Sequence, residues 1–417
     1  MMETCGLTAE YNPFHKGHQE QLAMIREHMG PKAGLIVCLS GPFCQRGVPA
    51  LLDKGLRAGL ALSMGADLVL ELPTAFAAAS AERFAQGAVG TLLATGVARK
   101  LAYGTERPED HEAIRQVGAL LAQEPPALGQ AIRQGIAEGK GFAAARQDAL
   151  AQISGRPDLA SLLGESNTIL AVEYEKALAR TSPLPSLALP LIDKAARSAS
   201  RIRDQVWTAW QKGPKSALAL ARDLSRTLPA DSLAALLEAF TSGRGLVFEE
   251  ALAPSLLLSP VFFDRDRLNL AEGMQGGLGD RIYKALAMDP IQALSDDPLA
   301  YSKLADQLAS RSHPASRVRR AILAAALGIE AGDQALTKDQ PTYIRVLGFN
   351  RQGRRLLSFM RKEARLPLIV QASDFRKLKD TAAVRQAALD LRAQAIWNQA
   401  AGLGRQSEFQ RTVLQVR

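Results

Sequence analysis

The sequence is poor in cysteine. Its 417 residues include three cysteines, Cys5, Cys38 and Cys44. Their odd number and unpaired spacing argue against a disulfide framework and against a zinc site. Cys5 and Cys38 lie in apolar runs typical of strands, so we expect both in the core. This use of cysteine fits a reducing compartment, and we expect a cytoplasmic protein.

Long apolar runs and the common nucleotide-binding motifs are also absent. Asp67 and Glu71 interrupt the longest apolar stretch, so no run reaches the roughly 20 residues that span a bilayer. No basic-then-apolar leader opens the sequence. Neither a G-x4-G-K-[ST] phosphate loop nor a G-x-G-x-x-G turn occurs. We therefore expect no membrane partner, and a nucleotide site would have to use other residues.

The junction between the first predicted strand and the first helix carries the most informative pattern, N-P-F-H-K-G-H at residues 12–18. A helix N-terminus has unsatisfied N–H groups and a partial positive charge, and both favour phosphates. His15 and His18 share one face of the first turn, and Gly17 lets a ligand approach the backbone. A histidine pair satisfied by the backbone is the alternative. The position of the pair, after a strand and before an amphipathic helix, favours a polyphosphate site.

Short apolar runs alternate with helical segments through the first half of the chain. We expect strands at 34–40, 67–73 and 100–104, with helices at 53–64 and 79–95. This alternation predicts right-handed crossovers and an α/β fold with a doubly wound parallel sheet, whose ligands bind beyond the carboxyl ends of the strands. The candidate site loops leave these ends: 9–18, 40–53, 72–78 and 104–108.

The second half of the chain has a different character. From residue 215 to about 335 it is almost entirely helical, and strand-like runs return at 343–349 and 366–371. We therefore expect two domains: a catalytic domain at 1–212 and a mostly helical, basic region at 213–417 that ends in a small α+β unit.

The loop after the second predicted strand reads S-G-P-F-C-Q-R-G at 40–47. Ser40, Gly41, Gln45 and Arg46 form a candidate substrate or phosphate loop. A structural loop with Arg46 bound to a carboxylate is the alternative.

Three acidic residues near these loops have more than one interpretation. Asp53 is either a helix N-cap or a catalytic group. Asp67 and Glu71 point the same way along a predicted strand. They either serve a metal or a base, or they lie at a solvated edge or beside an arginine partner.

A second candidate phosphate-binding turn, R-S-A-S-R-I-R, occupies residues 197–203. Ser198 and Ser200 are placed to cap a helix, while Arg203 is placed to reach phosphate oxygens. A plain serine-rich N-cap is the alternative, and the histidine pair expected on the same sheet favours the functional interpretation.

Basic residues are in excess, with 51 Lys+Arg against 42 Asp+Glu and a formal net charge of +9. Such an excess favours an anionic partner. The clustering of Arg345, Arg351, Arg354 and Arg355 is typical of contact with an RNA backbone, and solvated helix faces are the alternative. Trp and Tyr are scarce around this cluster, so base stacking is not strongly indicated.

Five segments taken in order resemble one family. They are A-E-Y-N-P-F-H-K-G-H at 9–18, S-G-P-F-C-Q-R-G-V-P-A at 40–50, G-A-D-L-V-L-E-L-P at 65–73, Y-G-T-E at 103–106 and R-V-L-G-F-N at 345–350. The series is similar to the bacterial tRNA(Met) cytidine acetate ligase family, part of the HxGH nucleotidylyltransferase superfamily. The resemblance implies a Rossmann-like nucleotidylyltransferase domain over 1–212 and a tRNA-binding region over 213–417.

The resemblance also implies a reaction. Acetate would be activated by ATP to acetyl-adenylate with release of pyrophosphate, and the acetyl group would pass to the exocyclic amine of the wobble cytidine of elongator tRNA(Met). We expect Mg²⁺ to accompany ATP, and His15, His18 and Arg203 to act in catalysis. The expected ATP-binding residues are Thr8, Ala9, Glu10, Tyr11, Asn12, Pro13, Phe14, His15, Lys16, Gly17, His18, Gln19, Glu20, Gln21, Gly104, Asn167, Lys194, Ser198 and Ser200.

Two segments depart from the family pattern. Asn167 matches the first asparagine of an Asn-Asn-Ile-Leu segment, and Thr168 replaces the second. The family's arginine after the fifth strand has no counterpart in the shortened stretch 191–196. Lys194 or Arg197 is the candidate replacement, although lysine lacks the bidentate fork of arginine.

Two other functions also fit the motifs. One is a small-molecule adenylyltransferase of the same fold, which would have no use for a large basic C-terminal half. The other is a non-catalytic RNA-binding protein with a degenerate nucleotide fold.

Overall fold

The computed structural model describes residues 2–182, 184–192, 198–257, 259–288, 300–404 and 408–416. The predicted Lys194 and Arg197 lie outside these residues. Within the described part of the chain, no helix is both long and apolar enough to cross a membrane.

The strands are β1 Thr4–Ala9, β2 Gly34–Ser40, β3 Leu68–Leu72, β4 Lys100–Thr105, β5 Ser186–Pro190, β6 Ile344–Phe349, β7 Leu368–Ile369 and β8 Leu414–Gln415. The helices of the first half are α1 Lys16–Met29, α2 Lys54–Ser63, α3 Thr74–Ala77, α4 Ala81–Ala94, α5 His111–Gln123, α6 Pro126–Ala137, α7 Phe142–Ser154, α8 Pro157–Ser161 and α9 Ser166–Thr181. Those of the second half are α10 Ala199–Gln211, α11 Ala217–Leu224, α12 Ala230–Ser242, α13 Glu249–Leu257, α14 Arg265–Leu270, α15 Leu278–Met288, α16 Ala300–Gln307, α17 Ala315–Leu327, α18 Gly332–Thr337, α19 Arg351–Glu363 and α20 Thr381–Ala400.

The sheet is doubly wound, as predicted. Its order is β5-β4-β1-β2-β3-β6-β7, with β8 paired to β6. The strands β1 to β5 are parallel to one another. Because the chain winds from β1 towards β3 and later from β4 to β5, the winding direction reverses between β1 and β4. A crevice forms at the carboxyl ends of the strands at such a switch point, and it is the usual ligand site.

Helices cover both faces of the sheet because each central strand is apolar on both sides. Leu35, Val37 and Leu39 of β2 pack with the apolar residues of α1 and α2, while Ile36 and Cys38 pack with α4, α5 and α9. The predicted burial of Cys5 and Cys38 is confirmed.

The sheet continues past the boundary predicted between residues 212 and 213. Strand β6 pairs antiparallel with β3, and β7 and β8 pair with β6. The predicted small α+β unit is therefore not separate: it extends the first sheet, because β3 would otherwise expose an apolar edge. The boundary drawn from composition thus divides one hydrophobic core, in which Ile344 and Val346 lie with Leu70.

Most of the described helices between β5 and β6, together with α20, belong to two hydrophobic clusters that also include residues of the segment after β2. Phe43 belongs to one cluster, with α13 to α17 and α20. Leu51 and Leu52 belong to the other, with α10, α11 and α12. The helical region therefore packs against the segment that follows β2, at the carboxyl edge of the sheet.

Candidate active site

The two histidines lie at the start of α1, directly after β1. His15 is the N-cap residue, and its backbone N–H donates to Nδ1 of His18 at 3.2 Å. Their rings are stacked with centroids 3.6 Å apart. Burial, and secondly the neighbouring His15, hold the pKa of His18 well below its usual range. His18 is therefore neutral at pH 7, and because Nδ1 accepts a hydrogen bond, the ring proton lies on Nε2.

Aromatic rings enclose His18. The ring centroid of Tyr11 lies 4.9 Å from that of His18, and that of Phe14 lies 5.6 Å away. Tyr11 adopts a left-handed backbone with φ 46°, which turns the chain out of β1 and into the loop. This packing is the source of the desolvation that keeps His18 uncharged.

Two glycines mark the crevice at the switch point. A Cβ on Gly17 would lie 3.1 Å from the His15 ring and 3.5 Å from the carbonyl oxygen of Ile192. A Cβ on Gly104 would lie 2.8 Å from Leu191 and 3.2 Å from Nε2 of Gln21. The histidine turn, the end of β4 and the chain after β5 therefore meet at one place.

The second predicted phosphate turn reaches the histidine loop. Nη1 of Arg203 donates to the carbonyl oxygen of Asn12 at 2.8 Å. Ser198 caps α10 by accepting from the N–H of Arg201 at 3.3 Å, and its Oγ lies 3.4 Å from that of Ser200. The structure thus brings the 198–203 turn and the 12–18 turn into contact.

Side chains of the loop after β1 form hydrogen bonds with the backbone of the loop at 40–47 and of the residues that follow it. Glu10 Oε1 accepts from the N–H of Gln45 at 2.7 Å, and Asn12 Oδ1 accepts from the N–H of Leu51 at 2.7 Å. Arg46 is exposed. The predicted substrate loop therefore lies beside the histidine loop.

Sequence reasoning missed Arg57, the fully buried arginine that joins these loops. Its guanidinium donates to the carbonyl oxygens of Glu10 at 2.6 Å, Ser40 at 3.0 Å and Gly41 at 2.5 Å. Because the Ser40 and Gly41 carbonyls are held inward, these two residues frame the loop. A charge among the apolar residues that follow Lys54 in α2 is the signal that could have identified Arg57.

The helical region also closes over the histidine loop, which the sequence did not indicate. The Lys16 N–H donates to the carbonyl oxygen of Thr227 at 3.0 Å, and Lys16 Nζ donates to that of Ser225 at 3.1 Å. Ser232 Oγ donates to the carbonyl oxygen of Phe14 at 2.6 Å. These partners lie more than 200 positions away, so no local pattern reveals them.

Asn167 lies where α9 starts, facing the end of β4. Its Nδ2 donates to Glu106 Oε1 at 2.7 Å. Glu106 also accepts from the N–H and the hydroxyl of Thr168, at 2.8 and 2.9 Å. Glu106, which the sequence analysis did not assign, therefore fixes the amide of Asn167 near the end of β4.

Three acidic residues have structural partners. Asp53 caps α2 by accepting from the Gly55 N–H at 2.7 Å. Glu71 pairs with Lys54 at 2.7 Å, and both are buried. Asp67 lies at the other end of β3. There its carboxylate accepts from the Leu35 N–H at 2.8 Å and from Arg26 at 2.9 Å. These contacts favour the cap and the ion-pair interpretations.

The predicted RNA-binding arginines are not one surface. The Arg345 prediction is wrong: its side chain is 2% exposed and lies 3.6 Å from Glu408, because β6 is an interior strand of the sheet. Arg351, Arg354 and Arg355 are exposed. However, β6 is antiparallel to β3, with Phe349 opposite Leu68, so α19 starts at the edge of the sheet opposite the histidines.

The described residues do not build a metal cage by themselves. Within the described residues, no three His, Cys, Asp or Glu side chains form a group that could hold a metal ion. The Glu10 carboxylate near the histidines already accepts the Gln45 N–H. Mg²⁺ often binds through one or two carboxylates together with substrate phosphates. Mg²⁺ bound with ATP therefore stays a prediction.

The doubly wound sheet, with a histidine pair after its first strand, defines a nucleotidyl transferase. A family model described as HIGH Nucleotidyl Transferase matches residues 2–411. The tRNA(Met) cytidine acetate ligase of Acetivibrio thermocellus is 32% identical over 413 residues, covering 95% of this chain and 94% of that protein. That of Thermotoga maritima is 33% identical over 385 residues, covering 88% and 87%.

Solved structures agree with this comparison. A crystal structure of Thermotoga maritima TmcAL bound with alpha-thio ATP matches with a TM-score of 0.89 and 30% identity, covering 100% of both chains. The apo form matches with a TM-score of 0.88. The chain belongs to the tRNA(Met) cytidine acetate ligase family of HIGH nucleotidyl transferases, which confirms the resemblance drawn from its motifs.

Proposed function

We propose that this chain activates acetate with ATP and then acetylates the exocyclic amine of the wobble cytidine of elongator tRNA(Met). The names of its relatives and the ATP analogue in the matching crystal structure support this function. The observation that carries the proposal is the contact between Arg203 and the Asn12 carbonyl at 2.8 Å. It brings a guanidinium and the histidine pair to the same crevice.

In the first step an acetate oxygen attacks the α-phosphorus of ATP. A P–O bond forms to give acetyl-adenylate, and the P–O bond to pyrophosphate breaks. Negative charge grows on the phosphoryl oxygens and on the leaving pyrophosphate. In our proposal His18 donates from Nε2, and His15, Arg203 and the N-terminus of α1 add to the stabilisation of this charge. No covalent enzyme nucleophile takes part.

In the second step the cytidine amine attacks the acetyl carbonyl. A C–N bond forms, the C–O bond to AMP breaks, and the amine loses a proton. Positioning is the main contribution of the protein to this step. Gly104 and Asn167 border the adenosine side of the crevice in this proposal. The loop of Ser40, Gly41, Gln45 and Arg46 borders the acetyl side.

The test measures ATP–pyrophosphate exchange with and without acetate, first in the absence of tRNA. Acetate-dependent exchange, followed by AMP release and acetylated cytidine on addition of tRNA(Met), is the expected result. Exchange that needs another small molecule would point to a small-molecule adenylyltransferase. Binding of tRNA without exchange under any condition would point to a non-catalytic relative. Loss of acetylated cytidine in tRNA from a deletion strain would show that the protein has this activity in the cell. Because its proposed substrate is a tRNA, we expect the protein to be cytoplasmic.

A further inference from the structure

A large cleft separates the helices of the first half of the chain from α17. Its volume is about 990 Å³. One wall is formed by α3, α4, α6, α7 and α9, and the other by residues 311–321 at the start of α17. The turn Ala75–Ala79 lines it. Because this turn follows β3, the cleft opens at the carboxyl edge of the sheet, where the histidines lie.

The cleft adjoins the substrate loop directly. A Cβ on Gly47 would lie 2.8 Å from the backbone N of Arg320. Gln45 Nε2 donates to the carbonyl oxygen of Ala79, which lines the cleft, at 3.3 Å. The backbone N–H of Gln45 donates to Glu10, next to the histidine loop, at 2.7 Å. Two hydrogen bonds through one residue therefore connect the cleft to the site of adenylation.

Among the described residues, positive charge in the cleft exceeds negative charge. The four acidic side chains of its walls each have a basic partner: Glu272 with Arg83, Glu173 with Arg146, and Glu82 and Glu124 with Lys176. Four further arginines line the cleft and form no ion pair within the described part of the chain. They are Arg133, Arg311, Arg317 and Arg320.

Two arginines at the start of α17, Arg317 and Arg320, are half-buried in the cleft and have no carboxylate partner in the described part of the chain. Burial, and secondly repulsion by Arg317, lower the pKa of Arg320 to about 10. Nη1 of Arg317 donates to the backbone carbonyl of Ser312 at 3.1 Å. Two adjacent guanidinium groups that are held in a cleft and form no ion pair with its carboxylates favour a phosphate as their partner.

An exposed aromatic ring stands in the same cleft. Phe142, the first residue of α7, is 58% exposed and lines the wall. The carbonyl oxygen of Arg311, on the opposite wall, lies 3.2 Å from where a Cβ of Gly141 would be. Aromatic rings beside arginines are the usual means of holding unpaired bases of single-stranded RNA.

We propose that this cleft, lined by Arg133, Arg311, Arg317, Arg320 and Phe142, binds the single-stranded loop of the tRNA that carries the cytidine. The arginines contact its phosphates and Phe142 stacks on one of its bases. The inference rests on the proposed function, because it names the surface through which that substrate reaches the adenylate. It replaces α19 as the main RNA-binding surface.

The test compares charge and ring variants of the cleft with matched variants of α19, which lies at the opposite edge. Arg133→Gln/Arg311→Gln removes two exposed arginines, and Arg351→Gln/Arg355→Gln is its control. The control for Phe142→Ala is Phe359→Ala, which removes an exposed aromatic ring from α19. The probes are tRNA(Met) and its isolated anticodon stem-loop, titrated at several salt concentrations.

The two cleft variants should differ in their salt dependence. The arginine variant should weaken binding and lower the slope of log K against log salt by about 1.4, since each single-strand phosphate contact contributes about 0.7. Phe142→Ala should weaken binding on the order of tenfold without changing the slope. Acetate-dependent ATP–pyrophosphate exchange without tRNA should be unchanged in both. The control variants should bind as the wild type does.

Three results would overturn the cleft assignment: unchanged binding in both cleft variants, an equal loss in the α19 controls, or no binding of tRNA by a wild type that exchanges pyrophosphate. The last would leave another polyanion, such as an acidic protein, as the occupant. A wild type that lacks acetate-dependent exchange but binds tRNA through the cleft would instead contradict the proposed function.

Discussion

The two edges of the central sheet use the same kinds of residues for different purposes. At the amino edge, Asp67 accepts from Leu35, Arg26 and Asn350, and Asn350 in turn caps α19. At the carboxyl edge, Glu10, Asn12 and Arg57 hold loops together by binding their backbone groups. His18 and Arg203 lie at this same edge, where Nη1 of Arg203 donates to the Asn12 carbonyl oxygen at 2.8 Å.

The comparison of the two edges indicates which polar side chains serve stability and which are available to a ligand. Polar groups at the amino edge mainly join chain segments, so their loss should cost stability. At the carboxyl edge Glu10, Asn12 and Arg57 do most of the joining, and we assign a second set, His18 and the remaining N–H groups of Arg203, to the ligand. A substitution in that second set should reduce turnover much more than stability.

The largest expected effect is that of His18→Ala. Removing a donor to the developing charge should reduce acetate-dependent ATP–pyrophosphate exchange on the order of a hundred-fold or more. Radiolabelled pyrophosphate exchange measures this, with tRNA binding expected to survive. His28→Ala, an exposed histidine of the same helix, is the control. A His18→Ala enzyme with wild-type exchange would remove the histidine pair from the site.

Arg203→Gln should have the next largest effect. A hydrogen bond to a charged group contributes about 1.5–3 kcal/mol, which corresponds to a loss of exchange of roughly ten- to hundred-fold. Arg203→Lys keeps the charge without the fork and should recover part of the loss. The loss should appear in exchange while the unfolding midpoint changes little. A fall in stability that accounts for all of the lost exchange would contradict the assignment.

The buried His18 should also make stability depend on pH. Its folded pKa is depressed, so below pH 6.5 the unfolded chain binds a proton that the folded chain does not. The free energy of unfolding should therefore fall with decreasing pH, by at most about 1.4 kcal/mol per pH unit, until the folded pKa is reached. Denaturant titrations between pH 7.5 and 5 measure the slope, which should be shallower in His18→Gln. Equal slopes for the variant and the wild type would contradict a neutral, buried His18.

The smallest expected effect lies at the amino edge. Asn350 Oδ1 accepts from the N–H groups of Gln352 and Gly353, each at 2.9 Å. Asn350→Ala should lower the free energy of unfolding by about 1 kcal/mol and leave pyrophosphate exchange unchanged. Chemical denaturation and the exchange assay measure the two quantities. A loss of exchange comparable to that of Arg203→Gln would erase the distinction between the edges.

Local patterns predicted the central strands and the two helix starts at 15–18 and 198–203 well. The strand predicted at 34–40 is β2, and the helix predicted at 53–64 is α2, within one residue at each end. These features depend on neighbouring residues: apolar runs, caps and a glycine at a helix start. The contact of the 198–203 turn with the histidine loop follows from the rule that such loops leave the carboxyl ends of parallel strands.

Features that depend on distant pairing were missed. The basic residues after β6 look like an RNA surface in sequence, but the direction of β6 is set by its partner β3. The position of β6 between β3 and β7 buries Arg345, and its antiparallel direction moves α19 to the far edge. The cleft also depends on residues that are far apart in the sequence. Phe142 and Arg320 line it because their helices pack on either side of it, and no local motif contains both.

The completion of the sheet by β6 has a consequence for synthesis of the chain. β6 begins 272 residues after β3 ends (344 − 72). At about 5–20 residues per second, a ribosome leaves the apolar side of β3 without its hydrogen-bonding neighbour for roughly 15 to 55 s. During that interval the nascent N-terminal half has an open strand on which other chains can pair. Synthesis of β6, and not emergence of the nucleotide-binding segment, is thus the step after which the edge of β3 can be covered.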